Sequence, residues 1–190
     1  PIQAAILNSD SKTGVTIIKI DEKIDHGKII SNLKTQISKL DTYESLSQKL
    51  AVLGASLLIK IIPGYISGVI KLVEQDHDKA TYTKIIKKED GKINWNKSAE
   101  EIERMTRGYY PWPTAWTTWN GKILKILGTK ASRENHHKIG EVFLSVKNEL
   151  IIKCSIGSLI INKLQLEGGK VLATREFLNG HKNFIGSILK

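Results

Sequence analysis

The chain has 190 residues, 41% of them hydrophobic and 25% charged, which is the composition of an ordinary globular protein. Its one cysteine, Cys154, excludes an internal disulfide and a zinc cluster built on cysteines, and it fits a reducing cytosol. The apolar stretch 50–66 contains Lys60, Pro63 and Gly64. We expect it to be too interrupted to span a bilayer, which needs about 20 apolar residues.

The formal net charge of +10 is concentrated in the second part of the chain. Residues 1–78 contain nine lysines and nine acidic residues, whereas residues 79–190 contain 20 basic and 10 acidic residues. Such asymmetry is typical of a protein that contacts a polyanion, most often a nucleic acid or an anionic membrane. A lysine-rich proteome would raise the charge everywhere, and the neutral first part argues against that explanation.

Short helices and strands are predicted for the first part of the chain. Residues 1–8 indicate the end of a helix, and two strands follow over 14–20 and 29–37. A helix then begins at Asp41, with Glu44 at capping-box spacing, and carries leucines at helical period up to a break at Pro63. Little of this helix is polar, so we expect it to need a larger sheet than two short strands provide.

A linker and a change of pattern follow. The polar run that begins at Glu74 is the best candidate for a linker, which we place at 75–83. Ser98 and Glu101 have capping-box spacing, and the helix that they open must be broken by the Pro-Trp-Pro element at 111–113.

The remainder of the chain predicts a small β domain. Asn120-Gly121 is a strong two-residue hairpin signal, and Lys147-Asn148 indicates a second hairpin. A short helix is predicted over 174–178. The predicted strands cover 116–119, 122–127, 142–146, 150–154 and 159–166. Five or so short strands with one or two helices are typical of a small barrel.

Asp25 is the first candidate for chemistry. It follows the apolar run 15–20 in a loop with Gly27 close behind, and ligands bind beyond the carboxyl ends of strands in open α/β sheets. A carboxylate beside a reacting centre can orient a histidine, stabilise its charged form or relay a proton. The alternative is a turn residue, because Asp before Gly is common in loops, and the residues alone favour this alternative.

The histidines do not have the spacing of a metal site. We expect His26, His77, His136 and His137 to be solvated loop residues. No glycine-rich phosphate loop, Cys-x-x-Cys pair or Ser/His/Asp spacing occurs in the sequence. The sequence therefore predicts no metal centre.

Aromatic and basic residues cluster in the second part of the chain. Rings that stack on bases, interleaved with cations that meet phosphates, can form a nucleic-acid surface. We expect Trp95 and Trp112 to be packing residues and the cations to make the contacts. The cluster consists of Trp95, Arg104, Arg107, Tyr109, Tyr110, Trp112, Trp116 and Trp119, and the basic face extends over Lys84, Lys87, Lys88, Lys122 and Lys125.

Four motifs resemble the methionyl-tRNA formyltransferases, in the order of that family and over essentially the whole chain. TGVTIIKIDEKIDHG at 13–27 resembles the segment that leads into the family's catalytic aspartate, and 85–102 resembles the entry to its C-terminal domain. RGYYPWP at 107–113 is similar to its Arg-x-x-x-Pro-Trp-Pro signature, and EFLNG at 176–180 matches its terminal helix.

The resemblance implies a fold of the class α/β plus β. Residues 1–74 would be the C-terminal part of a Rossmann-like formyltransferase catalytic domain, 75–83 a linker, and 84–190 an OB-like β-barrel domain that binds tRNA. It also implies the activity: transfer of a formyl group from 10-formyltetrahydrofolate to the amino group of methionyl initiator tRNA. The enzyme would be cytoplasmic and monomeric, with no metal and no membrane attachment.

The resemblance also implies roles for individual residues. Asp25 corresponds to the catalytic aspartate, and Asp21 and Ile24 correspond to positions that bind the folate. The tRNA-binding residues would be Lys84, Lys87, Lys88, Arg104, Arg107, Lys122 and Lys125. His26 stands where the family usually has Thr. The family's catalytic Asn and His, and its Ser-Leu-Leu-Pro folate loop, are not among these 190 residues, so we expect a fragment that is inactive alone.

Two alternatives stay open. One is another folate-dependent formyltransferase, acting on a nucleotide sugar or glycinamide ribonucleotide, although a small acceptor does not require a basic second domain. The other is a non-catalytic basic RNA-binding module in which 1–78 are scaffold. Salt-sensitive tRNA binding would argue against the first alternative. An Asn-x-His segment encoded upstream would argue against the second.

Overall fold

The computed structural model describes residues 1–135 and 137–190, so that His136 lies outside the described residues. The chain divides into two units, Pro1–Lys84 and Ile85–Lys190. The strands of the first unit form a two-stranded sheet, and those of the second form a six-stranded sheet. Both sheets are antiparallel.

The first unit consists of two helices and a β-hairpin. Its elements are α1 (Ile2–Leu7), β1 (Lys12–Ile18), β2 (Ile29–Gln36) and α2 (Tyr43–Ile66). Ile6 of α1 and Leu46 and Leu50 of α2 form its buried core, and Val15 of β1 packs against them. Both predicted helices and both predicted strands are present. β1 ends before Lys19, two residues earlier than predicted.

The N-cap of α2 differs from the predicted one. Thr42 is the N-cap, because its hydroxyl accepts from the Ser45 N–H at 3.2 Å while the Ser45 hydroxyl accepts from the Thr42 N–H at 3.0 Å. Asp41 closes the preceding turn, where its Oδ2 accepts from the Ser38 N–H at 2.8 Å. The predicted pair of Asp41 and Glu44 is wrong by one residue, since two hydroxyls can supply the same reciprocal bonds.

Pro63 lies inside α2 and does not end it. Proline lacks an N–H and costs the helix one hydrogen bond, yet α2 continues to Ile66, and the N–H of its C-cap Ser67 donates to the Pro63 carbonyl. The helix thereby reaches 24 residues and, by length and composition alone, is long and apolar enough to cross a membrane. Our expectation that 50–66 is too interrupted to span a bilayer counted Pro63 and Gly64 as interruptions, whereas both lie inside the helix. Lys49 ties the helix to the hairpin, because its Nζ donates to the Gln36 carbonyl at 2.7 Å.

One side of α2 stays exposed within the first unit. Val52 is 69% exposed, Ile59 74% and Ile66 79%, whereas Leu46 is fully buried. The expectation that two short strands cannot cover this helix agrees with these exposures.

The second unit is built on a sheet with the strand order β3-β4-β7-β6-β5, and β8 pairs with β7. Its elements are α3 (Ala99–Gly108), β3 (Ala115–Trp119), β4 (Lys122–Ser132), β5 (Val142–Leu144), β6 (Leu150–Lys153), β7 (Ser158–Leu166), β8 (Leu172–Ala173) and α4 (Thr174–Gly180). Among the described residues, single 3-10 turns occur at Lys88–Gly91 and Lys182–Phe184 in this unit and at His77–Lys79 in the first unit. Strand β4 is long enough to pair with both β3 and β7.

Several of these elements were predicted correctly from short sequence motifs. Ser98 caps α3, with Glu101 completing the predicted capping box. Asn120 and Gly121 both have positive φ, 49° and 76°, as a two-residue hairpin turn requires. The second hairpin has shorter strands than predicted and a five-residue turn over 145–149, in which Asn148 has φ 58°. Helix α4 runs two residues further than expected.

Candidate functional site

Asp25 lies in an exposed loop between β1 and β2. Its backbone has a positive φ of 54°, which Asp tolerates better than most residues. Its carboxylate makes no hydrogen bond or ion pair with another residue that the structure describes. Asp25 follows the end of β1, but β1 and β2 form an antiparallel hairpin rather than the open α/β sheet that the prediction assumed.

Gln75 holds the backbone of this loop. Its side-chain Nε2 donates to the carbonyl oxygen of Asp25 at 2.9 Å and to that of Gly27 at 2.7 Å. Beside it, Ile29 and Val73 exchange backbone hydrogen bonds of 2.7 and 3.0 Å. The segment that we predicted as the start of a linker therefore fixes the candidate catalytic loop.

Only glycine fits at position 27. A Cβ built there would lie 1.7 Å from the carbonyl oxygen of Lys19, well inside contact distance. The loop is thus constrained by a close backbone approach on one side and by Gln75 on the other. Sequence reasoning missed Gln75, since an exposed-looking polar run carries no local signal for a partner 50 residues away.

Asp21 is engaged within the same loop. Its Oδ2 lies 2.8 Å from Nδ1 of His26, and its Oδ1 accepts from the Lys23 N–H at 2.9 Å. The hydrogen bond from His26, followed by that from Lys23, holds the pKa of the Asp21 carboxyl below its usual value. The imidazole of His77 stacks on that of His26 with centroids 4.0 Å apart. The imidazole of His26 therefore contacts Asp21 and His77, and it makes no hydrogen bond to Asp25.

The two residues that the resemblance assigns to folate binding differ in their surroundings. Ile24 is 94% exposed and offers an apolar surface that a ring could cover. Asp21 holds the loop through His26 and Lys23. No group of three or more His, Cys, Asp and Glu residues that could hold a metal occurs within residues 1–135 and 137–190.

The predicted tRNA-binding residues are spread over several elements of the structure. Lys84, Lys87, Lys88 and Lys122 are exposed, and Arg104 and Lys125 are half-buried. Arg107 differs, because its Nε and Nη2 donate to the two carboxylate oxygens of Glu103 at 2.6 and 3.1 Å, and its side chain is 16% exposed. Lys88 and Lys125 of this set line one common groove.

That groove has aromatic walls, and the packing prediction for Trp112 was wrong. Trp112 is 55% exposed, whereas Trp95 is 4% exposed and donates through Nε1 to Thr117 Oγ1 at 3.2 Å. The loop 111–114 is tight: the Thr114 N–H donates to the Tyr109 carbonyl and its hydroxyl to the Pro111 carbonyl, both at 2.9 Å. Trp112 lies in this loop and stays outside the core.

The comparisons with known proteins identify the family. The profile of the formyl transferase C-terminal domain matches residues 85–182, and the formyl transferase profile matches residues 1–62. The chain belongs to the formyl transferase family. This finding confirms the resemblance that the four motifs predicted, since both family segments occur in the expected order.

Curated methionyl-tRNA formyltransferases are similar to this chain over its whole length. The chain is 38% identical over 195 residues to the methionyl-tRNA formyltransferase of Lachnospira eligens, and 39% identical over 192 residues to that of Fusobacterium nucleatum. Both alignments cover 100% of the chain and 62% of the relative. The chain therefore spans about 60% of the length of the curated relatives it matches.

Solved structures share the fold. HypX from Aquifex aeolicus, in complex with tetrahydrofolic acid, has a TM-score of 0.72 at 15% identity and matches 97% of this chain and 33% of its own. The N-formyltransferase from Helicobacter canadensis, in complex with folinic acid and dTDP-3-aminofucose, has a TM-score of 0.66 at 25% identity. That match covers 84% of this chain and 58% of the other. The chain accordingly has the mixed α/β fold of the formyl transferase family.

Proposed function

We propose that this chain takes part in transferring a formyl group from 10-formyltetrahydrofolate to the amino group of methionyl initiator tRNA. The observation that carries the proposal is the exposed carboxylate of Asp25 on a loop held by Gln75. By the resemblance, Asp25 corresponds to the family's catalytic aspartate. The names of the curated relatives, at 38% and 39% identity over the whole chain, support methionyl-tRNA as the acceptor.

The chemistry explains the need for a carboxylate. The amine nitrogen of the methionyl group bonds to the formyl carbon, and the bond from that carbon to the folate nitrogen breaks. The amine loses one proton, and the departing folate nitrogen gains one. A carboxylate can orient an imidazole and stabilise its positive charge while that proton moves. We propose this role for Asp25. The bound folate would supply the formyl group, and we propose that Ile24 and Asp21 lie beside it.

We propose the following division of labour along the chain. Residues 1–74 belong to the catalytic domain, 75–83 are the linker, and 84–190 form an OB-like barrel that binds tRNA. The antiparallel sheet of the second unit, with its long β4 paired on both sides, supports a curled sheet of this kind. The whole protein would be a cytoplasmic monomer that does not insert into a membrane.

The tRNA contacts are proposed for the basic residues of the second part. Lys84, Lys87, Lys88, Arg104, Lys122 and Lys125 would meet phosphates, which position a nucleic acid without reading its sequence. We also assign Arg107 to this set, but expect it to contribute least, because Glu103 already occupies two of its donor nitrogens.

A second candidate function has an observation in its favour. The Helicobacter canadensis relative in fold was crystallised with a nucleotide sugar, and its TM-score of 0.66 is close to that of HypX. The basic second part of this chain favours a tRNA acceptor instead, because a small nucleotide sugar does not require an extended cationic surface. A non-catalytic RNA-binding module remains the alternative from another class.

Binding of initiator tRNA to the 190-residue chain tests the proposal. We expect binding that weakens steeply as the salt concentration rises. Each phosphate that a lysine or arginine neutralises makes the slope of log affinity against log salt steeper. A chain that binds dTDP-3-aminofucose and ignores tRNA would overturn the choice of acceptor. Because the catalytic Asn and His are not among these residues, we also expect no formyl transfer by this chain alone. Turnover near that of a full-length relative would contradict this.

A further inference from the structure

The groove beside Trp112 has a floor formed by three neighbouring strands. Trp116 of β3 lies opposite Lys125 of β4, which lies opposite Gln165 of β7. All three are half-buried, while the flanking Ala115, Thr117, Leu124, Ile126 and Leu164 are buried. The row therefore lies on the outer face of the sheet, since successive side chains of a strand point to opposite faces.

The indole of Trp116 is held in place. Its Nε1 donates to the Lys88 carbonyl at 3.1 Å, and its own carbonyl accepts from the Ile93 N–H at 2.7 Å. Gly91 packs so closely that an added Cβ would lie 3.0 Å from the indole ring. The Trp116 side of the groove is therefore rigid, so a ligand that enters beside Trp112 orders little of the wall around it.

Polar and charged groups surround the aromatic walls. Lys88 and Lys125 supply two positive charges, and Glu167 supplies one carboxylate, whose Oε2 accepts from the Ile123 N–H at 3.0 Å. The cavity has a volume of about 340 Å³, at the small end of ligand sites, which run from about 300 to 1,000 Å³. A space of this size and charge suits one nucleotide rather than a duplex.

We infer that this groove binds a single unstacked nucleotide of an RNA, with its base against Trp112 and its phosphate near Lys88 and Lys125. The inference rests on the proposed function, because it gives the basic second part a contact with a base in addition to its phosphate contacts. Net positive charge between 79 and 190 supports RNA as the occupant. Base–aromatic stacking on a sheet face accepts any base, since every base has a π-face.

The test uses the 190-residue chain and a fluorescently labelled single-stranded RNA of about eight nucleotides, within the usual site sizes of about 4–16. We expect Trp112→Ala to weaken binding about tenfold or more, and Trp112→Phe to keep affinity within about threefold. Tyr82→Ala is the matched control, because Tyr82 is 93% exposed and does not line the groove. Circular dichroism confirms that each variant is folded.

The salt dependence separates stacking from charge. Lys125→Gln should lower the slope of log affinity against log salt by about 0.7, whereas Trp112→Ala should leave the slope unchanged. Lys163→Gln, an exposed lysine outside the groove, serves as the control for a lost charge. The same RNA annealed to its complement should be insensitive to Trp112→Ala.

Two results would overturn the inference. One is equal affinity of Trp112→Ala and Tyr82→Ala for the single strand. The other is an equal loss on single strand and duplex. If initiator tRNA still binds with the expected salt dependence in either case, only the nucleotide groove fails. If neither RNA binds the wild-type chain, the proposed tRNA function fails with it.

Discussion

Gln75 and Gly27 are joined by a hydrogen bond of 2.7 Å from the side-chain Nε2 to the backbone carbonyl, although 48 residues separate them. The same nitrogen donates to the Asp25 carbonyl at 2.9 Å. The position of the candidate catalytic carboxylate therefore depends on a residue outside its own loop. Lys28, the residue after Gly27, forms a salt bridge of 2.5 Å with Glu74, the residue before Gln75.

Replacement of Gln75 by leucine should loosen the Asp25 loop. Both hydrogen bonds that its side-chain amide donates are lost, and each contributes about 0.5–1.5 kcal/mol. We expect amides of residues 19–29 to exchange with solvent about tenfold faster, measured by native-state hydrogen exchange. Gln48→Leu, at an exposed position of α2, is the matched control and should leave this loop unchanged. Equal exchange in both variants would show that Gln75 does not hold the loop.

Asp25 should matter for catalysis only where the rest of the family's catalytic set is supplied. We expect a chimera that joins the upstream segment of the Lachnospira eligens relative to this chain to transfer formyl groups. Asp25→Asn in that chimera should lower the rate about 10²–10⁴-fold with little change in tRNA affinity. Asp10→Asn, an exposed aspartate in the turn before β1, provides the control. Equal rates for the two variants would remove Asp25 from the mechanism.

The exposed side of α2 should make the 190-residue chain self-associate. Ile59 is 74% exposed and Val52 69% exposed on a helix with few charges, and contiguous apolar surface of this kind favours association. We expect Ile59→Glu to shift the chain towards monomer in sedimentation velocity. Val146→Glu, at a position 98% exposed in the second unit, should leave the association unchanged. A monomeric wild-type chain would contradict the prediction.

The same helix sets a second expectation. Although α2 is long and apolar enough to span a bilayer, Leu46 and Leu50 are already buried against α1 and the hairpin. We expect the chain to stay in the protein fraction when floated with neutral lipid vesicles. Stable flotation with the vesicles would instead make α2 a membrane-associated helix.

Cys154 should be unreactive in the folded chain. Burial raises the pKa of its thiol from 9.0 to about 12. Above about pH 9 the thiol ionises in the unfolded chain but keeps its proton in the folded chain. The free energy of unfolding therefore does not depend on this ionisation below about pH 9, and it decreases as the pH rises towards 12. The denaturation midpoint should fall faster with pH in the wild type than in Cys154→Ala. Rapid modification by a thiol reagent at pH 8 without unfolding would contradict the burial.

Features that depend on neighbouring residues could be predicted from the sequence. The Ser98–Glu101 capping box and the Asn120-Gly121 turn are closed by groups within a few positions of each other, so their residue types suffice to specify them. The motifs around Asp25 and the Pro-Trp-Pro element likewise sufficed for the family, because they are contiguous in the chain.

Features that depend on distant residues emerged only in the folded chain. Residue type alone does not distinguish the buried Trp95 from the exposed Trp112, since both are tryptophans of the same aromatic cluster. Which of them enters the core depends on how strands pair across the sheet. The bond from Gln75 to the Asp25 loop likewise joins residues 50 positions apart and depends on how the chain folds rather than on residue type. Local hydrogen bonds are encoded in adjacent residues, whereas contacts between distant segments form only when the chain folds.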